Sequence, residues 1–588
     1  MTFVMKPSYE STALVSAPTK FLRTVNRVFP PFLLAALLAP SFFWVLQDRT
    51  VWPWDSSWYG EVSADLCYRL ANLLHRHGLK EWLREMVQAI PMKPPGIVWL
   101  GQFFVGIHQI FGSVEASLLV SVLLTQFITL YFIYRIGITL APKSRLVPLV
   151  GVVFAASGQI FIGLSHQFLV EPLQTLAVTW VFLIAVCCHS WSRAKILLHL
   201  AAALILGALA KTTTPMYCLA PGLCIMVVFL RRHDKFGFRR ELDKWPSRTL
   251  LLFSLSLGPL GVLWYEKNFA SVMQHVRDAT TSSIALDYGY RAPITSKLIT
   301  WSGLFRMEFL DPYIMWGCAL LIVGAILSLI PSRNRGVARQ TVALVLALIL
   351  ISAIQIAVVL LVLSSNIMIE SRFLLPLLPG AAILVMGLAS LVAWRPALVV
   401  VIVLCFWQWA KVNHAAFRAD ELLPHRSAWL SALNRDETRY AEMTRLVQAT
   451  TTRAYAYNIF AIELPWFNAN SASFFAAKNR LSAGIRCYYT SIGYAQKDPR
   501  AAMQRIADIQ AVFVITLDDS FYTIPPELLF LNQAAVPVLE ELRRDPTFTL
   551  TPFNSRLGVL VFRRAPNTAP LAPAITSGML AIPATSGN

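Results

Sequence analysis

The sequence predicts a polytopic α-helical membrane protein that carries a C-terminal α/β domain on the outer side of the membrane. Hydrophobic residues make up 56% of the 588 residues and charged residues only 14%, an apolar content well above that of soluble globular proteins. Apolar stretches near the length of a bilayer crossing recur from residue 29 to residue 410. After residue 411 the charges return, and short strand-like and helix-like segments alternate.

The first apolar stretch, residues 29–47, is roughly long enough to cross a bilayer and follows a polar, basic lead of residues 1–28. This order predicts a signal anchor whose N-terminal segment lies in the cytoplasm. A cleaved signal peptide is the alternative, because "LLAPS" at 37–41 offers small residues. The long basic lead and the many later apolar segments argue against it.

Further apolar segments bring the expected number of crossings to about eleven. They are residues 116–139, 146–165, 172–188, 196–210, 215–230, 249–265, 313–330, 341–363, 373–393 and 397–410. Alternate loops between them are rich in Lys and Arg, which is typical of the cytoplasmic side. These basic loops contain Lys143, Arg145, Arg193, Lys195, residues 231–248, Arg333, Arg335, Arg339 and Arg395. The formal net charge of +19 is thereby explained without nucleic-acid binding.

The remaining loops are predicted to face outward, on the periplasmic side of a bacterial inner membrane. They are residues 48–115, 165–172, 210–215, 266–312 and 364–372, and the chain after residue 411 joins them. In the first loop, residues 63–87 have apolar residues at helical spacing with charges between them, as a helix in the membrane interface has. Residues 93–112 begin with Lys-Pro-Pro and predict a second juxtamembrane helix. Cys67 and Cys487 then share one compartment, which leaves a disulfide between them open.

The C-terminal part, residues 411–565, has the pattern of a folded α/β domain. Residues 511–516 and 557–562 are apolar runs typical of buried strands, and residues 436–449 and 499–509 have helical spacing. The last residues, 566–588, are rich in Pro, Ala and Ser without a charged side chain, so a disordered tail is expected there.

The predicted topology brings polar residues from five separate loops to one face of the membrane. These residues are Asp55, Lys93, Glu171, Lys211, His275, Arg277, Glu370 and Arg372. Charged groups at a membrane boundary that converge from several loops indicate a functional site rather than a scaffold.

The order of the surrounding motifs resembles a known family. The chain has an acid in the first outer loop (Asp55), then "KPPGIVWL" (93–100), "FLVEPLQT" (168–175), "LGALAKTTTP" (206–215), "LWYEKNF" (263–269) and "ESRFLLPLLPG" (370–380). It resembles the GT-C glycosyltransferases that use polyprenyl-phosphate sugars, especially the protein O-mannosyltransferases and the lipid A aminoarabinose transferases. The resemblance covers about residues 29–410. The C-terminal domain is similar, more loosely, to that of the aminoarabinose transferases.

The resemblance implies roles for two residues of this chain. Asp55 matches the first-loop acid that is taken as the catalytic base in the family, and Lys93 matches the lysine near the donor phosphate. Glu61 stands six positions after Asp55, where the family often has a directly following second acid. Met92 stands where the aminoarabinose transferases have an acid before the lysine. These departures leave the acceptor and any divalent metal open, and no cofactor is predicted.

The chemistry of sugar transfer from a lipid phosphate gives the same residues a physical rationale. The acceptor needs a base to take its proton, and the leaving phosphate needs cations. Asp55 suits the base, with a helix N-cap as the alternative. Glu171 precedes Pro172 at a helix start, where it either supports catalysis or complements the helix dipole.

Cations at the membrane boundary are candidates for the phosphate site. Lys93, Lys211 and Arg372 suit it, because they stay hydrated while meeting an anion, and ordinary snorkelling anchors are the alternative. His275 and Arg277 belong to the same hypothesis, with a solvated loop pair as the alternative.

Aromatic residues of the first outer loop are candidates for stacking on a sugar or an isoprenoid. They are Trp54, Trp58 and Tyr59. An aromatic belt at the membrane interface is the alternative explanation for all three.

The predicted function is therefore transfer of a sugar, with inversion, from a polyprenyl-phosphate donor to an extracytoplasmic glycan, lipid or protein. The main rival is a transporter or flippase of a lipid-linked sugar. Transporters carry ionisable or broken-helix sites near the membrane midplane, whereas these apolar segments are nearly free of charge. The expected partners are the lipid-linked donor, the acceptor and the bilayer.

Overall fold

The computed structural model describes residues 20–74, 78–232, 238–281, 285–286, 289–329, 339–418, 423–452, 456–518 and 524–565. The predictions made for residues 1–19, for the tail at 566–588 and for Arg333 and Arg335 lie outside the described residues. The described chain has a helical part, which ends at Phe417, and a C-terminal part with a small sheet.

The helical part consists of long apolar helices joined by shorter ones. The α-helices are Lys20–Gln47, Trp54–Leu74, Gly78–Gln88, Gly96–Val105, His108–Phe111, Val114–Leu140, Leu146–Ser157, Gln159–Ser165, Glu171–Cys187, Arg193–Ala210, Thr214–Tyr217, Leu219–Arg231, Phe238–Leu242, Trp245–Thr281, Ile294–Phe309, Pro312–Leu329, Arg339–Ser365, Leu378–Leu391 and Arg395–Phe417. Residues Ser371–Leu377 form a 3-10 helix that leads into Leu378–Leu391. Every apolar segment predicted from the sequence falls mainly on one of these helices or on two consecutive ones, which confirms the helical class.

Among the described residues, 7 helices are long and apolar enough to cross a membrane, or up to 9 if each bent pair counts as one span. Glu171–Cys187 and Leu219–Arg231 are shorter apolar helices. The total of about eleven crossings stays a prediction, and so does the assignment of the inner and outer faces.

Two apolar stretches are bent helix pairs. Leu146–Ser157 and Gln159–Ser165 meet at 63°, and the extended backbone of Gly158 makes the bend. Ile294–Phe309 meets the following helix at 93°, at a break before Pro312. A residue before proline is disfavoured in the α region, so the first helix of this pair ends there. Both bends lie beside Glu308: a Cβ atom at Gly158 would lie 3.5 Å from its carbonyl oxygen, and Glu308 is the penultimate residue of the helix Ile294–Phe309.

Two features of the loops that are predicted to face outward differ from the sequence prediction. The helix Trp245–Thr281 continues through His275 and Arg277, which were expected in a loop. Residues 266–281 contain no Gly or Pro to stop it, so helix propagation continues beyond the apolar stretch. The first-loop helix begins at Trp54, earlier than expected, and this places Asp55 in its first turn.

The C-terminal part is built on a five-stranded mixed sheet. Its strands are β1 (Tyr457–Phe460), β2 (Tyr488–Ser491), β3 (Phe513–Leu517), β4 (Phe548–Thr551) and β5 (Val559–Arg564), in the spatial order β2-β1-β3-β5-β4. β1 is parallel to β2 and β3, and β5 is antiparallel to β3 and β4. The helices are Thr438–Thr450, Ala469–Ala483, Pro499–Asp508 and Ala535–Arg544, with a 3-10 helix at Pro526–Leu531. The predicted α/β class and the two predicted strands are confirmed.

Alternation along the strands gives the sheet a core on each face. Phe513 and Ile515 of β3 pack into one core, whereas Val514 between them packs into the other. The helix Ala469–Ala483 covers the first of these faces and also packs on the first-loop helix Trp54–Leu74. The sheet domain is therefore fixed to the segment that carries Asp55.

The contact of the helix Ala469–Ala483 with the first-loop helix, and with Trp52 directly before it, is tight. The rings of Trp52 and Phe474 stack at a centroid distance of 5.2 Å, and the Ser471 hydroxyl donates to the carbonyl oxygen of Trp52 at 2.6 Å. A Cβ atom at Gly60 would lie 2.9 Å from the Phe474 ring, so only glycine fits there.

The disulfide left open by the sequence is not formed in this structure. Cys67 is a free thiol on the first-loop helix. Cys487 is buried in the C-terminal domain, where its thiol donates to the carbonyl oxygen of Thr450 at 3.7 Å.

Candidate active site

Six charged side chains meet where the first-loop helix approaches the ends of several apolar helices. They are Asp55, Lys93, Glu171, Lys211, Glu370 and Arg372, and together they are called the charge cluster below. The convergence predicted from the sequence is thus present in the structure. The cluster contains three carboxylates and three cations, so its formal charge is zero before any ligand binds.

Asp55 binds a cation through each of its carboxylate oxygens. Lys93 Nζ donates to Oδ1 at 3.0 Å, and an Arg372 terminal nitrogen donates to Oδ2 at 3.1 Å. The Asp55 side chain contacts cations instead of capping backbone N–H groups, so the N-cap alternative does not describe its contacts. Burial by itself would raise the pKa of Asp55, but the charges of Lys93 and Arg372 hold that pKa well below its usual range. The side chain is still 35% exposed, so a ligand can reach it.

The Lys-Pro-Pro-Gly motif explains the position of Lys93. Pro95 precedes the helix Gly96–Val105, and its carbonyl oxygen accepts the N–H of Trp99 at 2.8 Å. A Cβ atom at Gly96 would lie 2.7 Å from the carbonyl oxygen of Leu209, so the glycine lets this turn sit directly on the helix end that precedes Lys211. The motif therefore brings the two lysines to the same side of the cluster.

Glu171 and Lys211 form a buried ion pair within the cluster. Lys211 Nζ donates to Glu171 Oε1 at 2.7 Å, and the Glu171 side chain is only 1% exposed. Lys211 also lies over the ring of Phe373 at 4.2 Å. Burial lowers the pKa of Lys211, and the adjacent Glu171 carboxylate opposes this change. A buried charge without a partner is costly, so each residue keeps the other ionised.

Arg372 links all three carboxylates. It binds Asp55, its Nε lies 3.6 Å from Glu171 Oε1, and it pairs with Glu370. Glu370 has an extended backbone and directly precedes the 3-10 helix Ser371–Leu377, whose second residue is Arg372. The ring of Trp429, from the segment that connects the helical part to the sheet domain, covers the guanidinium at 5.2 Å.

The cluster keeps hydrogen-bonding capacity for a ligand. Lys93 and Lys211 each donate one hydrogen bond to the described residues, whereas an ammonium group has three N–H donors. Glu171 Oε2 is buried and has no hydrogen-bond partner among the described residues. Buried groups that lack partners are rare in proteins and often mark a functional site.

The two other predicted phosphate ligands have different positions. His275 is within electrostatic range of Lys93 and Asp55. Arg277 is exposed, and two positions along a helix it points in another direction. The structure thus brings His275, but not Arg277, towards the cluster.

The aromatic residues near Asp55 mainly contact protein groups. Lys93 Nζ lies 4.9 Å from the Trp58 ring centre and 5.4 Å from that of Tyr59, which is 2% exposed. The indole N–H of Trp54 donates to Glu463 Oε2 of the sheet domain at 3.3 Å. Tyr59 thus presents no free ring face here, and stacking on a ligand stays a prediction for Trp54 and Trp58.

Sequence reasoning grouped Glu370 with the polar residues of this face but gave it no role. Its position only two residues before Arg372 in the chain was the signal that could have found it. Trp429 was missed because nothing local connects it to the cluster.

As for metals, the described part of the chain has no group of three His, Cys, Asp or Glu residues that could hold an ion.

An apolar groove runs along the helices Arg193–Ala210 and Trp245–Thr281. Its volume is about 540 Å³, and it is lined by Leu204, Ile205, Ala208, Leu209, Gly258, Gly261, Val262, Tyr265, Glu266 and Phe269. Leu209 lies two positions before Lys211, so one end of the groove lies next to the charge cluster. The groove suits a hydrocarbon chain attached to an anionic group.

Comparison with known proteins identifies the fold. No protein-family model and no curated protein matches the sequence. Among solved structures, ArnT from Cupriavidus metallidurans bound to undecaprenyl phosphate superposes with a TM-score of 0.52 at 12% identity, over 93% of this chain and 100% of that chain. The apo state of the same protein gives a TM-score of 0.53 at 13% identity, over 92% of this chain and 98% of that chain. The chain has the GT-C fold.

This finding confirms the fold predicted from the sequence, including the C-terminal domain. The GT-C fold here covers more than nine tenths of the chain. At this level of identity the likeness concerns the fold alone, so the activity has to be argued from the site.

Proposed function

We propose that this chain is a membrane glycosyltransferase that moves a sugar from a polyprenyl-phosphate donor to an extracytoplasmic acceptor, with inversion at the anomeric carbon. The observation that carries the proposal is the Asp55 carboxylate bound to Lys93 and Arg372. A base next to cations is what the reaction needs, because a proton leaves the acceptor while charge develops on the phosphate.

The donor phosphate binds Lys93, Lys211 and Arg372 in this proposal, with His275 beside them. The two lysines have N–H donors to spare, and Arg372 can bind two phosphate oxygens at once. The isoprenoid tail lies in the apolar groove that ends at Leu209. ArnT, which has been solved with undecaprenyl phosphate bound, has the same fold and supports this class of ligand.

Donor binding also prepares the base. With both cations in contact, Asp55 has a low pKa and is a poor proton acceptor. A phosphate competes with Asp55 for Lys93 and Arg372, so its arrival raises the pKa of Asp55 towards the ordinary range. Asp55 then takes the proton of the acceptor, which displaces the lipid phosphate directly and without a covalent sugar on the enzyme.

Glu171 has a supporting role in the proposal. It holds Lys211 ionised and in place at the helix end, from where that lysine reaches the phosphate. Arg277 points away from the cluster, so a direct role in donor binding would need the helix end to rearrange. The active site faces the periplasmic side of a bacterial inner membrane in this proposal, as the charges of the loops predict.

Binding of undecaprenyl phosphate to the full chain in nanodiscs tests the donor site. Lys93→Ala is expected to weaken binding at least about tenfold, because one charge-assisted hydrogen bond contributes roughly 1.5–3 kcal/mol. Lys195→Ala is the matched control. Like Lys93, Lys195 lies over a tryptophan ring, that of Trp191 at 4.1 Å. It lies at the start of the helix Arg193–Ala210, whereas Lys211 of the charge cluster follows the end of that helix. Equal affinities in the wild type and Lys93→Ala would refute the donor site.

A further inference from the structure

Besides the apolar groove, a polar cavity lies beside the charge cluster and has no role in the proposed donor site. It has a volume of about 170 Å³ and is lined by Gln159, Leu304, Met307, Glu308, Ser371, His425, Arg426, Ser427 and Ala428. Ser371 is the residue before Arg372, so the cavity lies one residue from the arginine that binds Asp55. It is called the Glu308 cavity below.

The carboxylate of Glu308 lines this cavity and is incompletely bonded. Its side chain is 4% exposed, and Oε1 accepts the Ser427 hydroxyl at 2.9 Å. Oε2 is buried and accepts no hydrogen bond from any described residue, and the described chain supplies no cation to pair with it. The Ser371 hydroxyl lies beside the carboxylate. A buried acceptor without a donor is costly, so this oxygen suits a donor brought by a ligand.

The connecting segment after the last apolar helix builds the wall of the cavity. Gln159 holds it at two points, because its amide donates to the carbonyl oxygen of His425 at 2.9 Å and accepts the N–H of Ser427 at 2.9 Å. A Cβ atom at Gly163 would lie 2.8 Å from the Trp429 backbone, so the helix Gln159–Ser165 contacts this segment directly. The polar groups around Glu308 are thus held in place before any ligand arrives.

The cavity opens at exposed residues of the connecting segment. His425, Arg426 and Ala428 line the cavity and are exposed, whereas Glu308 and Ser427 at its inner end are buried. The side chain of Arg426 is occupied elsewhere, since it donates to the carbonyl oxygens of Leu430 and Ala415. The mouth of this cavity carries polar side chains, whereas the apolar groove is lined by residues suited to lipid.

We propose that the Glu308 cavity binds a hydroxyl- or ammonium-bearing group of the acceptor, which enters from the outer aqueous side and donates to Glu308 Oε2. The identification of the ligand as the acceptor rests on the proposed function. The existence of the binding site rests on the geometry of the cavity alone. A group bound between Glu308 and Ser371 lies next to Arg372, and this places the acceptor beside the donor phosphate and Asp55. The donor arrives from the lipid and the acceptor from water, so the two substrates do not share an entrance.

Ligand-observed NMR on the full chain in nanodiscs tests the cavity with two probes of one ring size, glucose and glucosamine. Glu308→Gln keeps the shape of the side chain and the hydrogen bond from Ser427. Its amide NH₂ group then replaces Oε2, and an NH₂ group cannot accept a hydrogen bond from the ligand. Ala428→Trp leaves Glu308 untouched and fills the mouth from an exposed position. In both variants, the saturation-transfer signal of at least one of the two probes is expected to fall about fivefold or more. Loss with glucosamine alone identifies an ammonium, and loss with both identifies hydroxyl groups.

Undecaprenyl phosphate binding, measured in parallel, separates this inference from the proposed function. Both variants are expected to bind it as the wild type does, because neither residue belongs to the charge cluster. Failure of the wild type to bind the lipid phosphate would refute the proposed function but leave the cavity result standing. Equal probe signals in the wild type and both variants would overturn the cavity proposal and leave a water-filled space.

Discussion

The first-loop helix carries two groups of buried charges that are built in different ways. At its start, Asp55 belongs to the charge cluster. Further along, Asp65 contacts three arginines: Arg69 at 3.0 Å, Arg486 at 2.6 Å and Arg480. We call this second group the interface network, because Arg480 and Arg486 come from the sheet domain.

The difference between the two groups lies in what remains for a ligand. The Asp65 side chain is 10% exposed and surrounded by arginines, whereas Asp55 is 35% exposed and one of its partners is a lysine with unused N–H donors. Burial would raise the pKa of Asp65, but its three arginines lower it, so both aspartates are ionised. A low pKa therefore does not distinguish a functional carboxylate from a structural one here. Exposure and unused donors do.

The sharpest test of this comparison exchanges each aspartate for asparagine. Asp55→Asn keeps the shape of the side chain but cannot take the acceptor's proton, so sugar transfer is expected to fall by about 10²–10⁴-fold. Asn also frees Lys93 and Arg372, so binding of undecaprenyl phosphate is expected to persist. Transfer rates with undecaprenyl-phosphate sugars and the anomeric configuration of the product, both read by NMR, measure this. Near-normal transfer, or retained configuration, would remove Asp55 from the role of base.

Asp65→Asn should show the opposite pattern, with a loss of stability. Arg69 and Arg486 keep Glu85 and Glu61 as partners, but Arg480 loses its carboxylate. Breaking a buried ion pair by removing one partner costs about 3–5 kcal/mol, because the other charge stays buried without compensation. Thermal unfolding in nanodiscs measures the effect, and Glu540→Gln is the control, since that carboxylate is exposed and pairs with the exposed Arg544. An unfolding midpoint equal to that of the control would show that the interface network does not hold the domain.

A smaller effect is expected from apolar packing at the same interface. In Gly60→Ala the new methyl group meets the Phe474 ring at 2.9 Å, so we expect a loss of about 1–3 kcal/mol. Gly222→Ala is the matched control on a helix, because nothing lies within 4 Å of its Cβ position, and alanine there favours the helix. If both variants unfold at the wild-type midpoint, the domain contact is looser than the structure implies.

The smallest expected effect concerns pH and the link between the sheet domain and Trp54. Burial raises the pKa of Glu463 to about 7, and its bond from Trp54 opposes the rise. An acid whose pKa is higher in the folded state stabilises that state most when protonated. Relative to Glu463→Gln, wild-type stability is therefore expected to decrease as the pH rises from about 4.5 to about 7. Unfolding midpoints of the two proteins over this range measure it, and parallel curves would contradict it.

The sequence could predict those parts of the structure that depend on local pattern. Apolar length predicted the helices, and the positions of Asp55, Lys93, Glu171, Lys211 and Arg372 at loop ends predicted their meeting. The strands β1, β2 and β4 escaped prediction, because each has only four residues and no clear alternation.

Other features depend on contacts that no local pattern reveals. Glu308 lies in an ordinary amphipathic stretch, and only its long-range partner Ser427 shows that one of its oxygens is left over. The helix that continues through His275 was misjudged because the end of an apolar stretch was taken as the end of the helix. Trp429 reaches Arg372 only through the folding of the connecting segment onto the helix Gln159–Ser165.

The packing of the sheet domain on the first-loop helix has a consequence for the order in which the protein is made. The contact between Asp65 and Arg480 joins residues 415 positions apart. At synthesis rates of about 5–20 residues per second, the first-loop helix waits roughly 20–80 seconds for this partner. During that time Glu61 and Asp65 have no Arg486 to pair with, and the segment that carries Asp55 lacks its support. A nascent chain already inserted in the membrane therefore acquires its ordered base only after residue 486 has been translated.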